Sequence, residues 1–297
     1  MHASSLPLVV DLDGTLIRTD LLMESANQWL INHPLTGWAS LLGHLGQGRA
    51  PLKAWLAKEA SVDVASLPYN PTLLAWLRVQ KRTGRTIVLA TASHMQWAQA
   101  VVAHLNQSED VALFDDVLAT EGALNLKSQA KREALVARFG EQGFDYVGND
   151  QADLAVWASC AQAHIVTHDP ALVAQAKLTT PVGEVFAKVQ MGFLKATLKA
   201  LRLHQWAKNL LVFVPLFAAH VYGDPSLVLQ ALLAFLAFGL AASGVYVLND
   251  LSDVQNDRHH TRKRQRPFAA GHLSLLQGWM MWPALLGASL LLAITTL

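Results

Sequence analysis

The sequence predicts an α/β unit with a Rossmann-like parallel sheet and a helical cap insertion, followed by an all-α, membrane-spanning region that is a truncated bundle. Three observations carry this. Short apolar runs alternate with amphipathic stretches in the first half, the signature of a parallel sheet covered on both faces. Three long runs in the second half are almost free of charge. The charge also divides: residues 1–187 hold 13 Lys and Arg against 18 Asp and Glu, and residues 188–297 hold 10 against 4. An acidic half therefore precedes a basic, apolar one.

Composition sets bounds. Apolar residues make up 52% of the 297, and charged residues 15%, where ~25% is usual. Disorder is excluded. The single cysteine, Cys160, excludes an internal disulfide framework and any CxxC site and reads as a small buried side chain. The N-terminus lacks the basic start of a signal peptide, and Asp11 and Asp13 break its apolar run.

The strands follow in order. Leu8–Val10 precedes Asp11; Thr86–Ala90 follows a Thr83-Gly84-Arg85 turn; Val117–Ala119, Tyr146-Val147 and His164–Val166 are further runs bounded by turn residues. Lys131 to Phe139 and Gln151 to Cys160 read as intervening helices. Residues 18–78 hold no convincing strand and are rich in Leu, Trp and Ala at helical spacing, which predicts an inserted helical subdomain. Trp29, Trp38, Trp55 and Trp76 are expected in its core. The α/β unit is expected over residues 1–182 and the membrane part over 183–297. A span needs ~20 residues, and three are expected, at about 203–223, 226–249 and 272–297. Basic residues before the first span and after the second mark the cytoplasmic side by the positive-inside rule. The α/β unit is thus expected in the cytoplasm of an integral protein of the inner or cell membrane. The apolar final run suggests a fragment of a longer protein.

Asp11-Leu12-Asp13-Gly14-Thr15 closes the first strand. Two carboxylates two residues apart share a crevice once the chain turns at Gly14, and strand C-terminal ends are where such sheets bind ligands. One carboxylate suits a nucleophile and its neighbour an acid/base. Thr91 and Ser93 end the second strand with hydroxyls for a phosphate oxygen. Lys131 opens a helix and offers an ammonium, with Lys127 a weaker candidate. Asn149, Asp150 and Asp153, after the fourth strand, offer oxygen ligands for a hard cation such as Mg²⁺.

In this order, these features resemble the haloacid dehalogenase-type phosphatases over residues 6–170. The resemblance implies that Asp11 is the nucleophile forming an aspartyl-phosphate, Asp13 the general acid/base, and Thr91 and Lys131 the second and third motifs. It implies a Mg²⁺ cofactor held among Asp11, Asp13, Asn149, Asp150 and Asp153, and it makes the insertion a cap. Asn149 departs from the family's aspartate.

A second cluster ends the second span. Asp250, Asp253 and Asp257 are spaced by three and four, one acidic stripe on a helix, and carboxylates at a membrane boundary need a reason. Mg²⁺ with a (di)phosphate supplies one, and Arg258, Lys263 and Arg266 follow as phosphate clamps or topological anchors. The run from Asn249 to Asp257, continuing to Gly271, resembles the UbiA-type intramembrane prenyltransferases. Leu201 to Asn209 resembles the first-helix signature of the decaprenyl-phosphate phosphoribosyltransferase branch. This implies that Asn249, Asp250, Asp253, Asp257, Arg258, Lys263 and Arg266 bind Mg²⁺ and a phosphorylated co-substrate, with a polyprenyl phosphate or diphosphate as lipid partner. With about three of the family's spans present, this chain alone is not expected to complete the transfer.

The expectation is a Mg²⁺-dependent phosphomonoester hydrolase fused to a polyprenyl-handling transferase. Its phosphatase substrate is a phosphorylated small molecule or a lipid-linked sugar phosphate. The alternative is a catalytically weak, regulatory hydrolase-like module on an intramembrane prenyltransferase. The histidines show no metal-ligand spacing. The basic cluster abuts two spans and is not a nucleic-acid patch.

Overall fold

A computed structural model describes residues 6–121, 126–188 and 191–296. The chain forms two compact units, dividing between Val189 and Gln190.

In the first unit, β1 (Leu8–Val10) leads into an insertion of four helices. These are α1 (Leu21–Asn32), α2 (Gly37–Leu45), α3 (Arg49–Glu59) and α4 (Pro71–Arg82), with a 3-10 turn at Val64–Ser66. Asp20 caps α1 by accepting from Leu22 N at 2.8 Å, and Asn70 caps α4, with Pro71 in its first turn. The base of the insertion is pinned by an antiparallel bridge between Ile17 and Tyr69, with Arg18 N donating to Pro68 O and Asn70 N to Leu16 O. The chain then alternates: β2 (Ile87–His94), α5 (Met95–Gln107), β3 (Asp116–Thr120), α6 (Gln129–Phe139), β4 (Asp145–Gly148), α7 (Leu154–Trp157), β5 (Gln162–Val166), α8 (Pro170–Lys177) and β6 (Val182–Phe186). The sheet is wholly parallel in the order β3-β2-β1-β4-β5-β6.

Alternation along β1 separates two cores. Leu8 and Val10 pack with Ile87, Leu89 and the apolar faces of the insertion and α5. Val9 packs on the other side with Val88, Tyr146, Leu135 and Trp157. Cys160 is free and buried, as expected. Trp29, Trp55 and Trp76 pack against the core, but Trp38 is 44% exposed. It lies on α2, whose neighbours Leu35, Leu42 and Leu45 are exposed too.

The first unit also runs beyond residue 182. The Pro181-Val182-Gly183 turn signal conceals β6, an edge strand whose Phe186 is buried. A Cβ at Gly183 would lie 2.7 Å from the His164 ring, so the glycine serves close strand packing rather than a domain boundary.

The second unit begins with α9 (Phe193–Leu201). The expected first span is not one helix. Residues 203–213 form a 3-10 segment, followed by α10 (Val214–Ala218) and a turn. Pro215 sits in the first turn of α10, where a missing amide is tolerated, and it disfavours an α-helix continuing in from residues 203–213. The polar residues His204, Gln205, Lys208 and Asn209 also sit in the segment. Next come α11 (Pro225–Ser252), α12 (Val254–His259) and α13 (Leu275–Thr296). Among the described residues, α11 and α13 are the two helices long and apolar enough to cross a membrane, with mean hydropathies of 2.2 and 1.5 over their best windows. At 28 residues, α11 spans about 42 Å, enough to cross a ~30 Å hydrocarbon layer. Leu297, the last residue of the expected third span, lies outside the described residues.

Packing within this unit uses small residues. Gly244 admits Leu286, and Ser289 Oγ donates to Ala237 O at 2.7 Å, joining α13 to α11. The Trp206 ring covers Gly239, where a Cβ would come within 2.6 Å, and its indole N–H donates to Ser243 Oγ at 3.0 Å. Leu229, Leu232, Phe238, Met280, Leu290 and Leu291 remain exposed, a lateral surface suited to lipid rather than water.

Candidate active site

β1 delivers Asp11 to the C-terminal edge of the sheet at its centre, between β2 and β4. Asp11 N donates to Val147 O at 3.0 Å, so the backbone still belongs to the ladder. Gly14 then turns the chain at φ +76°, and a Cβ there would lie 2.5 Å from Asn149 Nδ2. Glycine therefore permits both the turn and the approach of the loop after β4.

The two carboxylates have different partners. Asp11 Oδ1 accepts from Lys131 Nζ at 2.6 Å, and Oδ2 accepts from Thr15 Oγ1 at 3.1 Å. Asp13 Oδ1 accepts from Leu21 N at 2.9 Å, and Oδ2 from Ser93 Oγ at 2.7 Å and Thr91 Oγ1 at 3.3 Å. The hydroxyls expected to face a phosphate thus hold Asp13 in place. Burial, and then the nearby Asp20 charge, push the Asp13 carboxyl up to about 7, against the lowering effect of the Ser93 and Leu21 hydrogen bonds.

Lys131 is buried in the first turns of α6. Its burial alone would favour the neutral amine, but Asp11 and then Asp153 outweigh it and raise the pKa, so it stays an ammonium. It also donates to Tyr146 Oη at 3.0 Å, and Tyr146 in turn donates to Asp153 Oδ1 at 2.9 Å. Asp153 Oδ2 accepts from the amides of Asn149 and Asp150 at 2.9 and 3.1 Å. Asp153 therefore shapes the loop after β4. Asp150 is exposed and caps the following turn.

Asn149 Oδ1 accepts from Thr15 Oγ1 at 2.9 Å, the hydroxyl that also donates to Asp11. Sharing the one Thr15 proton, the Asp11 and Asn149 oxygens, one charged and one neutral, lie close together. Among the described residues no group of three His, Cys, Asp or Glu side chains gathers as a metal cage. The Asp11–Asn149 pair nevertheless fits Mg²⁺, which keeps several waters and needs few protein ligands. A cavity of about 170 Å³ opens over Asp11, Asp13, Lys131 and Asn149. It has room for a phosphate group over Asp11, and Asp20, Arg49, Lys53 and Lys127 are among its further lining residues.

Four contributors were not legible beforehand. Arg49 and Lys53 of α3 line the cavity, and Lys53 Nζ donates to Ala92 O at 2.5 Å from 39 residues away. Thr15 lay within the motif but carried no role. Tyr146 looked like one more apolar strand residue; only the phenol's need for a polar partner hinted otherwise.

In the helical unit the acidic stripe is only partly assembled. α11 ends at Ser252, and Asp253 stands exposed at the break before α12. Asp250 and Asp257 are both buried and meet through Arg266, whose Nη1 lies 3.2 Å from Asp250 Oδ1 and 2.7 Å from Asp257 Oδ2. Arg202 also pairs with Asp250, and its guanidinium stacks on Tyr246 at 4.8 Å. Lys263 Nζ is 3.8 Å from Asp257 Oδ1. Arg258 Nε donates to Ala269 O at 3.0 Å, and Asn249 is exposed.

Fold and site together define the chain as an α/β unit with an acidic, lysine-neutralised site at its strand ends, joined to an apolar helical unit with a second aspartate cluster. The UbiA prenyltransferase family model matches residues 209–297. An uncharacterized protein of Sinorhizobium fredii, y4nM, is 36% identical over 275 residues, covering 93% of this chain and 52% of that protein. Decaprenyl-phosphate phosphoribosyltransferase of Mycobacterium tuberculosis is 35% identical over 121 residues, 34% of this chain and 40% of the relative. The chain thus spans about half the length of the first of these relatives and less of the second. Solved structures similar to the N-terminal part are phosphatases and hydrolases of the haloacid dehalogenase type. A predicted phosphoglycolate phosphatase from Haemophilus somnus is 21% identical, over 63% of this chain and 95% of its own, with a TM-score of 0.40. A hydrolase of the same type from Salmonella enterica is 16% identical, over 57% and 66%, with a TM-score of 0.39.

Proposed function

We propose that the α/β unit is a Mg²⁺-dependent phosphomonoesterase acting through Asp11. The helical unit, in this reading, is the membrane-embedded beginning of a transferase that handles polyprenyl phosphates. The observation that carries the first part is a buried carboxylate, Asp11, held by Lys131 under a cavity with room for a phosphate group, with a second carboxyl two residues on whose pKa of about 7 suits proton transfer.

In the first step an Asp11 oxygen bonds to phosphorus as the ester P–O bond breaks, and Asp13 gives its proton to the leaving alcohol. In the second, water attacks the aspartyl-phosphate, Asp13 takes the proton, and inorganic phosphate and the Asp11 carboxylate are restored. Lys131 orients Asp11 and offsets its charge as the phosphate dianion approaches. Asp11 and Asn149 would hold Mg²⁺, which supplies further charge neutralisation when bound.

For the helical unit, the support is the family match and the pairing of Asp250 and Asp257 through Arg266. Mg²⁺ with a phosphorylated co-substrate would compete for those carboxylates and release Arg202 and Arg266 to phosphate oxygens. Cytoplasmic placement of the α/β unit follows from Lys and Arg flanking the apolar segments. The shared pathway this fusion suggests makes a polyprenyl-phosphoryl pentose phosphate a reasonable phosphatase substrate.

The test is phosphate release by the full chain in detergent, across sugar phosphates, with and without Mg²⁺, beside Asp11→Asn. The expected loss in Asp11→Asn is on the order of a thousandfold or more. Equal release by the two proteins would remove the phosphatase reading and favour a regulatory module, to which Asn149 already lends an argument.

A further inference from the structure

The cationic side of the cavity is larger than one phosphoryl group needs. Lys131 is committed to Asp11. Arg49, Lys53 and Lys127 also line the cavity. Arg49 and Lys53 are one turn apart on α3, and Lys127 precedes α6. Lys53 is buried and anchored on Ala92 O, and Asp13 and Asp20 act on its charge. The Arg49 and Lys127 side chains, both exposed at the cavity, form no ion pair among the described residues. Burial lowers the pKa of Lys53, Asp13 and Asp20 oppose it, and Arg49 and Lys127 add smaller lowering effects, which places both cations near the Lys53 ammonium. Asp13 and Asp20 offset much of the charge at Lys53, while Arg49 and Lys127 remain without an ion-pair partner among the described residues, free to meet an anion that enters the cavity. Asp20 caps α1 and Asp150 caps the turn after β4, and neither forms an ion pair with Arg49 or Lys127 among the described residues.

The geometry points to a second anion-binding subsite formed by Arg49, Lys53 and Lys127. On this inference, which rests on the phosphatase reading of the same cavity, the substrate is a phosphate monoester carrying a further phosphate or phosphodiester group. Lys53 fixes the floor of the subsite, and Arg49 and Lys127 close on the second anion from the insertion and from the sheet. Arg49 supplies the planar fork that phosphate oxygens accept. Because Arg49 and Lys53 sit on the inserted helices, binding of the second anion would also draw α3 toward the cavity.

The full chain in detergent tests this with three probes: a pentose 5-phosphate, the pentose 1,5-bisphosphate, and the 5-phosphate bearing a short-chain prenyl phosphodiester at C1. Expected is a kcat/KM for at least one doubly anionic probe ~10-fold or more above the monophosphate, a ratio that collapses in Arg49→Ala and in Lys127→Ala. Preference for the bisphosphate identifies a free small-molecule source, and preference for the diester a lipid-linked one. Both variants alter exposed side chains, so neither depends on the buried Lys53 for folding. A parallel titration of Asp11→Asn by calorimetry reads binding without turnover. Tighter binding of a doubly anionic probe there, lost on adding Arg49→Ala, upholds the subsite even where no phosphate is released and the phosphatase reading has failed. Phosphate release with ratios within twofold of one, and equal binding of all three probes, overturns the subsite and leaves the phosphatase standing.

Discussion

The two acidic clusters neutralise their charge by different means. At the strand end, each carboxylate has its own set of donors: Asp11 has Lys131 and Thr15, and Asp13 has Ser93, Thr91 and a backbone amide. At the helix end, Asp250 and Asp257 share a single arginine, Arg266, with Arg202 as a second partner for Asp250. The difference follows from local geometry. A turn at Gly14 splits neighbours two residues apart into separate environments. Asp250 lies in the last turn of α11 and Asp257 in α12, and Arg266 joins them across the break at Asp253, where the middle aspartate is exposed. Separate partners let the two strand-end carboxyls take different roles, whereas a shared partner ties Asp250 to Asp257.

Perturbing each kind of neutralisation sharpens this contrast. The largest stability effect belongs to a pair remote from both clusters. Arg85 and Asp145 are buried together at the opposite, N-terminal end of the sheet, and Arg85 also donates to Leu6 O and Gln80 Oε1. Arg85→Ala leaves Asp145 without its counter-charge and is expected to cost about 3–5 kcal/mol in urea unfolding. Because it touches no residue of the strand-end cluster, a residual folded fraction should retain normal KM.

Next is Arg266→Ala, which strips one partner from two buried carboxylates at once. A loss of about 2–4 kcal/mol is expected, read as a lowered Tm in detergent. Arg266→Lys should recover less than half, because an ammonium does not fork between two acceptors. Full recovery by lysine would mean that charge alone joins the aspartates.

His164 gives a smaller, pH-dependent effect. Its Nδ1 accepts from Glu184 N, and burial, then Arg85, lowers its pKa to about 4. The unfolded value is near 6.5, so on acidification the unfolded chain takes up the proton first. This contribution is complete above about pH 6.5 and is lost as pH falls toward 4. Between pH 7 and 5 it amounts to about 2 kcal/mol. Chemical unfolding at the two pH values should show that drop, and His164→Gln should show less of it.

The smallest expected change is at Asn149. Asn149→Asp should lower the Mg²⁺ concentration giving half-maximal phosphate release by ~10-fold, because a neutral oxygen facing Asp11 becomes a charged one. An unaltered Mg²⁺ requirement would place the ion elsewhere.

Much of this arrangement was legible in the chain. The Asp11-to-Thr15 motif, Lys131 at a helix start and the loop at Asn149 were each visible by residue type and position, and parallel pairing brings these strand ends to one cavity. What escaped has physical reasons. Edge strand β6 hides behind Pro181 and Gly183, because edge strands tolerate turn residues. The stretch 203–223 reads as a span by composition, yet Pro215 interrupts its helix. The reach of Lys53 to Ala92 and the phenol link from Lys131 through Tyr146 to Asp153 are tertiary contacts, which no local pattern encodes.

In the proposed reaction Asp11 carries the phosphoryl group while Lys131 and Asp13 flank it. The most direct measurement is a rapid acid quench of the full chain turning over a ³²P-labelled phosphate ester with Mg²⁺, followed by peptide mapping. Expected is an acid-stable, hydroxylamine-labile label on the peptide containing Asp11, and none in Asp11→Asn. Steady phosphate release with no label at Asp11, and with Asp11→Asn retaining the wild-type rate, would contradict it.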